Sequence, residues 1–305
     1  FMAAGFTYFD TAYVYEGSEE IAGKAIVERY PRDRYTMASK MASWKVTPSF
    51  TAEDMFRTQL ERTGLEYFDY YLIHSLQDGR DKEAEEKGCW KTAARMKEEG
   101  RIRHLGFSFH GGPELLDRIL STHPEAEFVQ LQINYLDWDN PIIQARENYE
   151  TARKHGKRIV IMEPVKGGLL ASAGKGIIED GRAPEMALRF AAGLDGVMTV
   201  LSGMSNMAQM EDNIRTFTDM KALTDEERKT LSKVVEAIRS EGRIECTSCR
   251  YCTKDCPRHI AIPDIFHAVN DLRAFGEHNR PRFFYSSLVS SGKSGRASEC
   301  IKCGR

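Results

Sequence analysis

Along this chain short apolar runs, each ending in a polar residue, alternate with longer stretches whose apolar positions recur at helical spacing. The first run, Phe6 to Phe9, is aromatic and β-branched; it predicts a buried strand that ends at Asp10, with Tyr15 just beyond. Gly17-Ser18-Glu19 then predicts a turn and an N-cap for a helix reaching about Glu28. Further strands are predicted at Tyr35 to Lys40, Phe68 to His74, Ile102 to Phe109, Phe128 to Asn134, Arg158 to Met162 and Val197 to Leu201. Helices are predicted at Thr51 to Thr63, with Thr51 as N-cap, and at Trp90 to Glu99, Pro113 to Ser121, Pro141 to His155, Pro184 to Ala192 and Met207 to Thr218.

Strict alternation of strand and helix predicts a parallel sheet, here seven of the eight strands of a closed (β/α)8 TIM barrel. The missing N-terminal strand is expected before Phe1, because Phe1-Met2-Ala3-Ala4-Gly5 reads as a helix tail with a glycine C-cap. An open doubly wound sheet is the competing architecture, but it calls for a Gly-x-Gly-x-x-Gly turn, and no predicted strand is followed by one. From about Leu223 the rhythm breaks: Thr224 caps a charged helix to Arg239, and a cysteine-rich segment follows. The expected division is a β/α barrel over 1–239 and a small, truncated α-helical domain over 240–305.

Composition adds bounds. The 305 residues, 41% of them hydrophobic, suffice for one large core and a small one, and a net charge of -2 leaves no basic footprint for nucleic acid or anionic membrane. No apolar run reaches about 18 residues and no basic-then-apolar leader opens the chain, so a cytoplasmic protein without membrane or nucleic-acid partners is expected. A start at Phe1 and an end two residues after Cys303 predict further segments beyond both ends. Six of the seven cysteines fall between Cys246 and Cys303, and the seventh, Cys89, is expected to be a packed thiol.

Asp10, Tyr15, Lys40 and His74 each fall at or just past the C-terminal end of successive predicted strands, where a barrel gathers its chemistry on one face. Reduction of a carbonyl by hydride needs a proton for the developing alkoxide. A tyrosine hydroxyl supplies it if its pKa falls from about 10, and a neighbouring ammonium lowers it. Asp10 would pair with Lys40, and His74 would orient the substrate oxygen or share the proton transfer. Taken singly, a loop-capping aspartate, a surface lysine and a core histidine are equally ordinary readings.

In that order and setting the four residues resemble the tetrad of the aldo-keto reductase superfamily, and the likeness runs over residues 1 to about 218. It implies a nicotinamide-dependent oxidoreductase acting on a small carbonyl or alcohol, with Asp10, Tyr15, Lys40 and His74 as catalytic residues. It further implies that Ser108 and Gln132 hold the nicotinamide amide. The loop that begins Glu163, Pro164, Val165, Lys166, Gly167 would lie over the pyrophosphate, and a segment with Ser202, Gly203, Asn206, Gln209, Asp212 and Asn213 would take the adenosine phosphate. The pattern is departed from at Phe109, where Asn is usual, and at Met162, where an aromatic ring often stacks on the nicotinamide. Gly203 and Gln209 stand where NADP-preferring members carry Lys and Arg. NADH, or a relaxed choice between NADH and NADPH, is therefore expected, with Arg215 the nearby cation. Trp44, Tyr135 and Trp138 predict an aromatic-lined pocket.

Cys246-Thr-Ser-Cys249-Arg-Tyr-Cys252-Thr-Lys-Asp-Cys256-Pro257 follows the bacterial ferredoxin spacing, and Cys300-Ile-Lys-Cys303 begins a second copy. A four-cysteine zinc site competes, though it pairs two Cys-x-x-Cys knuckles across a longer gap and has no use for Pro257. Two 4Fe-4S clusters are expected in the full-length chain. Cys246, Cys249 and Cys252 would serve one and Cys256, Cys300 and Cys303 the other, each with a further cysteine past Arg305. Between the motifs an amphipathic helix is predicted over Ile262 to Ala274, and loop with a short helix over Arg280 to Gly295. From end to end the chain is similar to aldo-keto reductases with a ferredoxin-like tail. Hydride carries two electrons and a cluster one, so an electron-transfer partner protein or a flavin is called for, and the sequence holds no flavin motif. The competing class is a nicotinamide-binding redox sensor, or an electron-transfer module, with little carbonyl turnover.

Overall fold

The computed structural model describes residues 1–305 except 241–243, 245, 277–278, 291, 293 and 304–305. Seven parallel strands pair in chain order: β1 (Tyr8–Asp10), β2 (Thr36–Met41), β3 (Phe68–Leu76), β4 (Ile102–Phe109), β5 (Phe128–Gln132), β6 (Arg158–Met162) and β7 (Val197–Val200). The sheet curls into a half-barrel, consistent with the expected (β/α)8 architecture. Helices cover its outer face: α1 (Ser18–Ala22), α2 (Ala52–Thr63), α3 (Arg80–Glu86), α4 (Cys89–Glu98), α5 (Pro113–Thr122), α6 (Ala145–Lys154), α7 (Ala183–Ala192) and α8 (Met207–Thr218). The cysteine-rich end adds α9 (Asp225–Ser240), α10 (Tyr251–Lys254), α11 (Ile262–Phe275) and α12 (Asn279–Ser290). Among the described residues no helix is long and apolar enough to cross a membrane.

The strands read as nearly continuous apolar runs because both faces of a parallel sheet are covered. Ala38, Leu72, Phe128 and Val160 meet on the concave side, while Met37, Tyr71, Phe107, Val129 and Ile159 pack outward under Met55, Phe56, Trp90 and Leu116. Truncating Phe56 or Phe107 to alanine costs ~3–5 kcal/mol at such sites. Thr51 caps α2 in a full capping box with Asp54, and Cys89 is buried, its thiol pushed up to about 11 by burial.

Several boundaries differ from the sequence expectation. The helix expected to reach Glu28 stops at Ala22 and continues as one wide π turn, Gly23–Val27. There it lies so close to the end of α2 that a Cβ on Gly23 would sit 3.0 Å from the Thr63 carbonyl oxygen. The helix expected from Pro141 begins at Ala145, because the Asn140 side chain accepts the N–H groups of Ile142 and Ile143 at 2.9 and 3.3 Å and holds a turn. α3 was not expected: of its seven residues only Ala84 is buried, so it carries no apolar period. In place of a short helix after Arg280 there is the twelve-residue α12. The loop expected beyond it falls partly on positions 291 and 293, and the start of the expected second domain on 241–243 and 245, all outside the described residues.

A second apolar cluster packs Leu231 and Val234 of α9 among Leu170, Ile178 and Met186, with Phe275 of α11 at its edge.

Candidate active site

β1 ends at Asp10 and β2 carries Lys40 beside it, which sets the Lys40 Nζ 2.5 Å from Asp10 Oδ2 and 2.8 Å from the Thr11 carbonyl oxygen. The lysine is fully buried. Its strand is braced from behind by Glu19, whose carboxylate accepts from Ser39 Oγ at 2.6 Å, Gln59 Nε2 at 2.7 Å and Arg62 at 3.2 Å. Gln59 also donates to the Lys40 carbonyl at 3.1 Å and accepts from the Tyr71 hydroxyl.

Tyr15 lies on a turn fixed at both ends, by Tyr15 N to Ala12 O at 3.0 Å and Ser18 N to Tyr15 O at 2.9 Å. Its ring is 42% exposed and stands with its centroid 4.8 Å from the Lys40 ammonium and 5.8 Å from the His74 ring, edge to face. Trp44 closes the other side of His74 at 5.4 Å, with the Arg80 guanidinium 4.2 Å over the indole.

His74 is aimed by a bulge. The β3–β4 register shifts between Ile73 and Leu76, and Ser75 adopts a left-handed φ of 56°, its N–H donating to Ser108 Oγ at 2.7 Å. Burial, then the charges of Lys40, His110 and Arg80, hold the imidazole pKa well below its usual 6.5, so His74 is neutral at pH 7. The His74 Nδ1 and the Asp10 Oδ1 are buried without a hydrogen-bond partner. Burial also raises the Asp10 carboxyl above its ordinary range, against the pull of Lys40.

The expected nucleotide residues fall on β4, at the end of β5, in the turn after β6, and in the loop after β7 and helix α8. Ser108 is buried on β4, and Gln132, the last residue of β5, donates to Asp137 Oδ2 at 3.3 Å. Glu163 and Lys166 both take left-handed φ, 63° and 51°, and with Gly167 and Gly168 they form the turn after β6; Pro164 and Val165 lie within it. Ser202 accepts from Asn213 Nδ2 at 2.9 Å, Asn206 caps α8 by accepting from Gln209 N at 2.9 Å, and Gln209 Oε1 accepts from Ser205 N at 2.7 Å. Asp212 pairs with Arg215 at 2.8 Å, and Gly203 has open space beside it.

The thiols are divided. Cys252, Cys256, Cys300 and Cys303 line one cavity of about 300 Å³ walled by Ile260, Ile262, Ile265 and Phe266, while Cys246 and Cys249 stand outside it. Among the described residues no three His, Cys, Asp or Glu side chains close on a common metal position.

Sequence reasoning missed Arg80, Glu19, Gln59 and a second buried group, in which Lys166 Nζ donates to both oxygens of Asp137 at 2.9 Å and lies 3.3 Å from Asp271 of α11. Arg80 sits in the unforeseen α3, and Asp271 contacts a loop more than a hundred positions away, so no local pattern announces either.

A parallel β/α sheet with a lysine, tyrosine and histidine gathered at its strand ends is the organisation of a barrel enzyme. The aldo/keto reductase family model matches residues 1–185, and the chain belongs to that family. It is 32% identical over 176 residues to aldo-keto reductase str7 of Strobilurus tenacellus, a match covering 55% of this chain and 49% of that protein, so the chain spans about half the length of that relative. It is 25% identical over 261 residues to L-galactose dehydrogenase of Arabidopsis thaliana, covering 77% and 80%. The fold is shared with an aldo-keto reductase of Klebsiella pneumoniae solved in complex with NADPH, with TM-score 0.58, 19% identity and coverage of 77% and 81%. The family match ends before the cysteine segment.

Proposed function

We propose that this chain interconverts a small carbonyl compound and its alcohol with a nicotinamide coenzyme, and that Tyr15 is the proton donor. The observation that carries the reading is the meeting of Tyr15, Lys40, Asp10 and His74 at one mouth. When bound, the nicotinamide supplies hydride to the carbonyl carbon. The Tyr15 hydroxyl gives its proton to the oxygen that gains charge, and the Lys40 ammonium stabilises the tyrosinate left behind. Asp10 and the Thr11 carbonyl fix Lys40. A neutral His74 offers a ring N–H to the substrate oxygen without adding a second cation beside Lys40. Trp44 and Tyr15 wall the opening with apolar surface.

Ser108 and Gln132 are assigned to the nicotinamide amide, the main chain of the turn at Glu163, Pro164, Val165 and Gly167 to the diphosphate, and Ser202, Gly203, Asn206, Gln209, Asp212 and Asn213 to the adenosine end. Support comes from the left-handed turn after β6, a conformation that turns backbone N–H groups toward an anion. Gly203 and Gln209 carry no charge, and the Gln209 side chain is engaged with Ser205 N, so neither offers a cation to a 2'-phosphate, and NADH or relaxed use is assigned. The NADPH held by the Klebsiella neighbour supports a nicotinamide dinucleotide in general. The test is oxidation of NADH and NADPH with a panel of aldehydes, ketones and quinones, wild type against Tyr15→Phe. Equal rates overturn the catalytic assignment.

For 240–305 the reading is an appended iron-sulfur module that exchanges single electrons with a partner protein. Cys246, Cys249 and Cys252 are assigned to one 4Fe-4S cluster, and Cys256, Cys300 and Cys303 to another. The support is the donor chemistry and the motif spacing: all six are thiols, and the N–H groups of Ser248 and Ile260 approach the sulfurs of Cys246 and Cys256 at 3.4 Å, while the cavity that gathers Cys252 with Cys256, Cys300 and Cys303 does not follow this division. Iron and acid-labile sulfide after anaerobic purification of the full-length chain are the expected result; zinc alone overturns it.

A further inference from the structure

The turn after β6 opens on a carboxylate, Glu163, where the diphosphate of a dinucleotide is assigned to lie. That is an unfavourable neighbour for an anion. The turn's own cation offers no relief, because Lys166 is fully buried and its ammonium is taken by Asp137 and Asp271. A cation arrives instead from α12: Arg280 forms an ion pair through Nη1 with Glu163 Oε2, 117 positions away in the chain. The same guanidinium lies over the turn, since a Cβ on Gly167 would be 3.3 Å from Arg280 Nη1 and 3.8 Å from its Cδ. Both partners remain partly open, at 26% and 31% side-chain exposure.

Resting on the nucleotide-binding reading above, we propose that Arg280 is a diphosphate-binding residue of the dinucleotide site, delivered by the appended helix α12 and not by the barrel. A guanidinium carries five N–H donors in a planar fork, so one engaged with Glu163 leaves others for the phosphate oxygens. Such charge-assisted bonds are about twice as strong as neutral ones. Coenzyme affinity then depends on where α12 sits, which ties the cysteine-rich segment to the nucleotide without electron transfer.

The test is equilibrium binding of NADH and NADPH to the full chain at several salt concentrations, for wild type, Arg280→Met, Arg280→Lys and Glu163→Gln, with circular dichroism melts to establish folding. Arg280→Met is expected to weaken both coenzymes at least about tenfold and to flatten the salt dependence, with Arg280→Lys partly restoring each. Glu163→Gln removes the carboxylate next to the diphosphate and leaves Arg280 uncompensated, so binding is expected to tighten severalfold; this variant also decides the matter should Arg280→Met not fold. Unchanged or tighter binding by Arg280→Met, or weaker binding by Glu163→Gln, overturns the role of Arg280 alone. A wild type that binds neither coenzyme overturns the nucleotide site itself, and this proposal with it.

Discussion

Two fully buried lysines stand at strand ends, Lys40 on β2 and Lys166 just after β6, each against an aspartate, and their surroundings are opposite. Around Lys166 every charge is answered: both Asp137 oxygens take the ammonium at 2.9 Å, Asp271 adds a third contact, and Asn134 donates to Asp137 at 3.0 Å. Burial alone would raise the Asp137 carboxyl, but Lys166, His267 and those hydrogen bonds outweigh it and hold the group well below the usual carboxylate range. Around Lys40 the account is incomplete. One Asp10 oxygen has no partner, burial raises the Asp10 carboxyl, and the ammonium keeps an open line to the Tyr15 ring. A saturated buried pair spends its field on itself and joins elements; an unsaturated one keeps its field for a reacting group.

The largest effect that would break this contrast is on catalysis. Tyr15→Phe is expected to lower kcat/KM by about 10²–10⁴, the usual worth of a positioned proton donor, with little change in the melting curve because the ring is already half exposed. Next in size is stability on the other side. Asp137→Ala leaves Lys166 facing mainly Asp271, and breaking a buried pair in this way costs ~3–5 kcal/mol, read from urea unfolding at pH 7. A folded Asp137→Ala protein of wild-type stability would show that the Lys166 group is not structural, and the contrast would fail.

Legibility in the sequence follows the same divide. The mouth was readable because Asp10 ends β1 and Lys40 and His74 lie within the last three residues of β2 and β3, where each run turns from apolar to polar. The strands β4 and β6 read as short apolar runs and the helix α8 opens at its Asn206 cap, and their limits, Ile102–Phe109, Arg158–Met162 and Met207–Thr218, agree with expectation to the residue. The Lys166 group was opaque, since its members come from the turn after β5, the turn after β6 and α11, and ion pairing over such separations has no spacing. The bulge that aims His74 was equally hidden, because Ser75 takes its left-handed φ for a tertiary reason, the bond to Ser108. α3 was missed because every one of its residues but Ala84 is charged, so the sequence there shows no apolar stripe.

Offered and consumed charge also differ at the adenosine end, where a smaller effect is expected. Arg215, the cation nearest the assigned 2'-phosphate segment, is engaged by Asp212 at 2.8 Å. NADH is expected to bind about tenfold more tightly than NADPH, ~1.4 kcal/mol, in fluorescence titrations. Asp212→Asn, which releases Arg215, is expected to narrow that ratio. Clear NADPH preference in the wild type would contradict the assignment.

The smallest effect sharpens the comparison through one histidine on each side. His74 is lowered by burial and then by Lys40, His110 and Arg80, all of them cationic or able to become so. His267, on α11, is lowered by burial, Lys166 and Arg280, but Asp271 and Asp137 pull the other way. In both cases the unfolded chain, with an ordinary histidine near pH 6.5, binds a proton that the folded state resists. Stability is therefore complete above about pH 6.5 and declines as the pH falls toward the folded-state values. His74 lacks an acidic counterweight, so its share of the decline is the larger. Urea midpoints followed from pH 7.5 to 5 should flatten more in His74→Gln than in His267→Gln. The reverse ranking would mean that the open Lys40 field does not reach His74, and that the mouth is as self-compensated as the Lys166 group.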